Sequence, residues 1–557
     1  MATATKLLTA LSLLVTGAFG LLLALALLVP IYTDEIGSKV QLMRALVEGG
    51  RLVMPLPQCA SAYSIPIPLS WYPAAAYYHV FFLPLGLLGH KVSGLVVALG
   101  WFSLLACAVA RTTRDCGARV RRFGGVVALH AAGTLPLALV TGRAEPFLIV
   151  LLGAFIALPV AWPIAQRRSW WGRALTTLVF IVVTSIFYDS HFKSLLFTPF
   201  VLVSAVVTFR KRAAHMAAAV AFVILAAFQT HGVVKRFSQC SAAPSVGAFL
   251  QNLTLDPAMA VADPGRFAAE GAKNLHGRVI DIANSVTIVA PHPWLPPSTV
   301  VDAPALVTRV DGVSRVLLYA LFVGVPIFVV LVGLRTWSAP HARRPFVLAA
   351  TLLVCLLGHL ILARHWAFYM TPFAVGVVAL VAFVAAAGVG GALSREDKAR
   401  VARLVLIGSL VFQAAALISM AMTLAHVGPR LFALQRVEGT LLPGQPAHVP
   451  AFGFAKERTK IREHAARCGI SGDGARRLVV DDATYFAFDD LREPVHLIYV
   501  SDATMWGVDI PGEKNVALFR ELGVSGIISR CSYFPTALEH KATRAGGYCC
   551  VSADELR

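Results

Sequence analysis

The sequence predicts a polytopic α-helical membrane protein of about eleven transmembrane helices, followed by a small extracytoplasmic α/β domain. Three observations predict it. Of 557 residues, 57% are apolar and only 14% charged, where an ordinary soluble domain carries about 25% charged residues. The apolar residues gather in repeated runs of about 20, the length at which a helix rising ~1.5 Å per residue crosses ~30 Å of hydrocarbon. The charge is divided unevenly: residues 430–557 hold 16 basic and 16 acidic side chains, and the first 429 hold 33 basic and 14 acidic. This composition excludes a disordered chain, a collagen-like repeat and a cytosolic enzyme. The net charge of +19 would suggest nucleic acid, but the whole excess lies in the apolar part and no nucleic-acid partner is expected.

Apolar runs between charged punctuation give candidate spans near 7–30, 91–110, 123–141, 146–163, 174–188, 194–209, 213–230, 314–335, 345–363, 371–390 and 404–426. The first run is about 24 residues long with one preceding lysine, and reads as a retained span. Lys and Arg stay on the cytoplasmic side. Lys6 and the inner segments (111–122, 167–173, 210–212, 335–344 and 395–403) together carry 19 basic and 3 acidic residues, and the outer side carries 14 and 11. The expected placement is multi-pass in the inner (plasma) membrane, with a cytoplasmic N-terminus and an extracytoplasmic C-terminal domain.

The division expected is a transmembrane module over 1–429, with outer loops at 31–90 and 230–314, and a domain over 430–557. In the first outer loop Ile36, Val40, Met43 and Val47 recur at helical spacing with Lys39, Arg44 and Glu48 on the other face, which predicts an amphipathic surface helix. The second loop is too polar to span. In the tail the pattern predicts helices over 455–468 and 515–522 and strands over 477–480, 495–500 and 524–529, alternating as in an α/β domain. No GxGxxG or P-loop pattern supports a nucleotide site there. Six of the nine cysteines fall outside under this topology. Pairing of Cys468 or Cys531 with Cys549 or Cys550 would staple the tail.

Charges at the outer ends of spans are costly near lipid and therefore informative. Asp34 and Glu35 follow the first span. They read either as anions capping the surface helix, which spacing alone favours, or as a base for an acceptor hydroxyl. Arg143 and Glu145, before Pro146, form a short turn that an isolated ion pair would explain. Tyr188, Asp189, His191 and Lys193 crowd a six-residue connection between spans. Arg364 and His365, with Trp366 and Tyr369, open the tenth. All four groups fall on one side under the charge rule, where Arg143, Lys193 and Arg364, helped by His191 and His365, would hold a phosphate. Glu145, Tyr188, Asp189 and Tyr369 would line the cavity. The spans themselves hold few titratable groups beyond His130 and His359, each read as a packing histidine. With charge gathered at one face and no repeat between halves, a lipid or solute transporter is the weaker reading.

Taken together, Thr33-Asp34-Glu35 after the first span, a surface helix over 36–50, the turns 143–146 and 191–193, and the Arg-aromatic-Pro stretch 364–372 resemble the GT-C superfamily of integral-membrane glycosyltransferases. The resemblance covers the arrangement of the whole chain, and its weight lies in the combination of short motifs. It implies a GT-C-like membrane module and a polyprenyl-phosphate-linked sugar as donor. The acceptor hydroxyl would belong to an envelope glycan, glycolipid or protein, and transfer would invert the anomeric centre. It implies Asp34 as general base, with Glu35 as alternative or helper, and the cations as holders of the departing phosphate. No cofactor and no obligatory divalent metal are expected. The oligosaccharyltransferase Trp-Trp-Asp signature is absent from the sequence. An O-antigen-ligase-like enzyme with a pyrophosphate donor is the alternative, given Lys235, Arg236, Arg266, Lys273, Arg278 and Arg309 in the second outer loop.

Overall fold

The computed structural model describes residues 2–32, 35, 53–54, 65–66, 87–113, 115–160, 170–210, 212–238, 254–289, 295, 299–336, 340–363, 371–389, 395–435, 448–452, 454–470, 477–481, 483–488, 493–496, 516–517, 519–520 and 523–556. The surface helix expected over 36–50 therefore lies outside the described residues, as do residues 497–500 of the strand expected over 495–500; of the helix expected over 515–522, residues 516, 517, 519 and 520 are described and are helical.

The membrane part is helical, as its composition predicts. Its helices are α1 (Ala2–Leu25), α2 (Leu87–Thr112), α3 (Cys116–Leu129), α4 (Ala144–Val160), α5 (Trp170–Ser190), α6 (Thr198–Phe209) and α7 (Ala213–Ser238). They continue with α8 (Pro264–Asn284), α9 (Ala305–Thr336), α10 (Pro340–Leu362), α11 (Thr371–Val389), α12 (Arg395–His426) and α13 (Gly428–Leu434). Among the described residues eight helical segments are long and apolar enough to cross a membrane, and two shorter apolar ones cover 144–159 and 371–386.

The stretch 123–141 differs from the single span expected. Helix α3 stops at Leu129, Gly133 takes φ +50°, and a short turn Leu135–Ala138 begins with Pro136 in its first turn. A left-handed residue followed by proline ends the helix, and the backbone groups released there are paired elsewhere, as an apolar environment requires. The Gly133 N–H donates to Ser419 Oγ (2.8 Å), its carbonyl accepts from Thr423 Oγ1 (3.0 Å), and the Thr134 N–H donates to the Val286 carbonyl (2.8 Å).

Small residues let helices approach. A Cβ on Gly124 would lie 2.5 Å from Ser12 Cβ, and one on Gly376 would lie 2.7 Å from Ile149. Only bare backbone admits such contacts. Ser12 Oγ completes the α1 contact by donating to Gln413 Oε1 of α12 at 2.8 Å.

Within the segment 230–314, the amphipathic α8 packs on α9 and α10. It caps the end of α10: Asn274 Nδ2 donates to the Ile361 carbonyl (2.9 Å) and Arg278 Nε to the Ala363 carbonyl (3.2 Å). A cation beside the last carbonyls of a helix also complements its dipole.

The tail carries the α/β arrangement expected. Short strands precede it: β1 (Ile31–Tyr32), β2 (Val53–Met54), β3 (Ile65–Pro66) and β4 (His448–Val449), with β2 paired to β3 and β1 to β4. Helix α14 (Phe454–Arg467) is followed by β5 (Arg477–Val480), β6 (Glu493–His496), β7 (Gly526–Arg530), β8 (Thr543–Ala545) and β9 (Tyr548–Ser552), in the sheet order β6-β5-β7-β9-β8. The first three run parallel, and β9 is antiparallel to β7 and β8. Alternate residues of β9 face opposite ways, so Cys550 enters one apolar cluster and Cys549 the other. Each is bonded there: Cys468 to Cys550, and Cys531 to Cys549.

Candidate functional site

The site begins with Gly94. A Cβ at this position would sit 1.9 Å from the Val140 carbonyl oxygen, so glycine lets α2 lie directly against residues 140–142. That contact brings Lys91, one turn earlier, and the Gly142 N–H to one carboxylate. Glu35 Oε1 accepts from Lys91 Nζ at 2.7 Å and Glu35 Oε2 from the Gly142 N–H at 2.7 Å, with both side chains buried.

The same backbone continues into the next ion pair. Arg143 Nε donates to Glu145 Oε2 at 3.1 Å, and Lys193 Nζ to Glu145 Oε1 at 2.6 Å. Glu145 lies in the first turn of α4, where the helix dipole favours an anion. The pair is thus not confined to its own turn, because Lys193 arrives from the connection between α5 and α6. That connection is a 3-10 turn (Phe192–Phe197) capped by His191, whose Nδ1 accepts the Lys193 N–H at 3.0 Å and so leaves the ring proton on Nε2.

Three of the four groups predicted from sequence meet in this network: Glu35, the 143–145 turn, and His191 with Lys193. Tyr188 and Asp189 stand at the end of α5. Tyr188 is buried and donates to Thr198 Oγ1 at 2.8 Å, bracing two helices, and Asp189 is half-buried. Asp34, Arg364, His365 and Tyr369 lie outside the described residues. Their neighbours are held nonetheless: the Leu255 N–H donates to the Leu362 carbonyl at 2.7 Å, one residue before Ala363.

Lys91 is the site residue that sequence reasoning missed. As the first residue of the second apolar run it read as a span boundary. The available signal was its place: a lone cation on the side of a span where lysines are few. His130 is a packing residue, as expected, with Nδ1 3.0 Å from the Val126 carbonyl and Nε2 accepting from Trp101 Nε1 at 3.2 Å. His359 is buried, its ring tilted against Phe197 and edge-on to Phe373.

Lys91, Arg143 and Lys193 face two carboxylates, Glu35 and Glu145. This described cluster carries one net positive charge in a poorly solvated place, where a charge acts more strongly than in water. Its carboxylates are occupied by ammonium and guanidinium donors. Such a set suits an anionic ligand better than a divalent cation.

Fold and site together define a helical membrane protein with a buried ion-pair network beside its C-terminal α/β domain. Neither a known family model nor a curated protein matches the chain. Among solved structures, ArnT from Cupriavidus metallidurans bound to undecaprenyl phosphate is similar at 13% identity and a TM-score of 0.49, over 97% of each chain. The archaeal oligosaccharyltransferase AglB from Archaeoglobus fulgidus, in complex with an inhibitory peptide and a dolichol-phosphate, is similar at 13% identity and a TM-score of 0.43, over 94% of this chain and 71% of AglB. At such identities and scores these likenesses assign no activity or substrate to this chain.

Proposed function

We propose that the chain is a membrane glycosyltransferase of the GT-C type. It moves a sugar from a polyprenyl-phosphate donor to an acceptor hydroxyl of an envelope glycan, glycolipid or protein on the extracytoplasmic face. The observation that carries this reading is the continuous run Lys91–Glu35–Gly142–Arg143–Glu145–Lys193, three cations against two carboxylates, one of which, Glu35, follows Asp34 in the sequence.

Both oxygens of Glu35 are engaged by donors, so the role of base falls to Asp34 and Glu35 orients the segment. Asp34 takes the proton of the acceptor hydroxyl while that oxygen attacks the anomeric carbon. The bond from the anomeric carbon to the lipid phosphate breaks, and the configuration inverts in a single displacement. The departing phosphate gains charge in the transition state, where preorganised cations contribute most. Arg143, Lys193 and Lys91, with Arg364 and His365 from the sequence motif, supply them. Transfer requires no metal in this reading.

Purified Asp34→Asn and Asp34→Ala variants test it. Sugar release from a polyprenyl-phosphate donor is expected from the unsubstituted protein, to persist in chelator, and to be lost in both variants. Retained turnover in the variants overturns the base assignment, and transport without donor cleavage overturns the enzyme reading. An introduced cysteine at exposed Thr459 is expected to label from outside intact cells, and labelling only after lysis overturns the orientation.

A further inference from the structure

The segment from the end of α1 to Glu35 is held by the C-terminal domain. Ile31 and Tyr32 pair antiparallel with Val449 and His448. Ile31 is fully buried and belongs to the apolar cluster of the tail, together with Val449, Phe454, Ile461 and Tyr485. The core of the soluble domain thus closes over a residue from the first outer loop, four positions before Glu35.

A ladder of two residues on each side is marginal in isolation, and its register needs a second restraint. Gln435 supplies one. Its Nε2 donates to the Leu28 carbonyl at 2.8 Å and its Oε1 accepts the Phe452 N–H at 3.2 Å. One side chain therefore ties the chain before β1 to the chain after β4. Slippage of β1 by one residue would move the backbone by about 3.3 Å and turn alternate side chains to the other face, carrying Glu35 away from Lys91 and Gly142.

We infer that the C-terminal domain is a positioning device for the acidic segment, with Gln435 as its positioning residue and the β1–β4 pair as its clamp. This rests on the glycosyltransferase reading only for its consequence in turnover, since the clamp itself can be read out without activity.

The test uses the full-length protein with Ile31→Cys/Val449→Cys, positions that face each other across the pair. The two introduced thiols are expected to cross-link in the membrane, read as a linked peptide by mass spectrometry, and to do so less completely when Gln435→Ala is added. Gln435→Ala alone is expected to lower kcat about 10- to 100-fold, the cost of a misplacement of about 1 Å, with the donor KM changed by less than about twofold. Gln435→Glu, which accepts from Phe452 but donates nothing to Leu28, is expected to lose activity likewise. Cross-linking in the Gln435→Ala background is expected to restore kcat, which a general loss of folding would not allow. Absence of the cross-link, an unchanged kcat in Gln435→Ala, or a loss that cross-linking leaves unrepaired overturns the proposal. If the unsubstituted protein cleaves no donor while the cross-link forms and depends on Gln435, the enzyme reading fails and the clamp stands.

Discussion

Lys91 Nζ lies 2.7 Å from Glu35 Oε1 with both side chains buried, joining residues 56 positions apart. Removing one partner leaves an uncompensated buried charge, which costs about 3–5 kcal/mol. Lys91→Met is therefore expected to lower the thermal stability of the detergent-solubilised protein strongly and to abolish donor cleavage. The double variant Glu35→Gln/Lys91→Met removes both charges and is expected to recover most of the stability but not the activity. A double variant that melts as low as the single one refutes the view that the penalty comes from the carboxylate that has lost its ammonium.

Arg143 and Lys193 share Glu145 but differ in access: their side chains are 18% and 5% exposed. The guanidinium is the more accessible of the two cations and so the better placed to meet a ligand phosphate, whereas Lys193 is enclosed by its partner. Arg143→Ala is expected to raise the donor KM about tenfold, equivalent to about 1.4 kcal/mol, with little change in melting temperature. Lys193→Met is expected to destabilise the protein as well as inactivate it. Steady-state kinetics and melting curves on the two variants decide this, and equal melting losses would remove the distinction.

Much of this was legible in the sequence because hydrophobic runs and charge bias are local properties. The apolar stretches coincide with helical segments, and β5 begins and ends where Arg477–Val480 was expected. The break at Gly133 was harder to see, since residues 131–136 carry no charge through the turn, and its partners Val286, Ser419 and Thr423 are remote in sequence. Strands β8 and β9 were missed although Gly546 and Gly547, at φ +57° and +83°, form the hairpin turn between them; a Gly-Gly pair is itself a hairpin signal. The junction of β1 with β4 had no local signal at all, because its partners lie more than 400 residues apart. For the same reason Lys91 passed as an ordinary span boundary.

The two tail disulfides differ in the length of chain they close, 82 against 18 residues. Loop-closure entropy makes the longer one worth about 4.5 kcal/mol and the shorter about 3 kcal/mol, as upper values. Replacing Cys468 and Cys550 together by serine is expected to destabilise the tail more than replacing Cys531 and Cys549. The first pair also fastens α14 to β9, with His464 Nε2 3.2 Å from Cys550 Sγ. Protease susceptibility of the tail in the full-length protein measures the order, and the reverse order contradicts it.

Asp481 ties β5 to β7. Its Oδ2 accepts from Arg530 Nε at 2.7 Å and from the Arg530 N–H at 3.1 Å, and its Oδ1 accepts from Thr484 N (2.8 Å) and Thr484 Oγ1 (2.7 Å). Burial alone would raise this carboxyl, but the Arg530 guanidinium and the Thr484 bonds outweigh it and hold the group below the usual carboxylate range. A group depressed in the folded state stabilises fully above its unfolded value, about 3.9, and loses that contribution as pH falls through the folded value. Hydrogen-exchange protection of peptides spanning 526–530 in the full-length protein, corrected for intrinsic exchange, is therefore expected to hold between pH 7 and 5. Below about pH 4 it is expected to fall. Asp481→Asn removes this carboxylate charge from the buried Arg530, so protection is expected to be lower by about 3–5 kcal/mol already at pH 7 and to depend less on acid below pH 4. Protection in the unsubstituted protein that increases on acidification below pH 4 would show that the pair does not hold the sheet together.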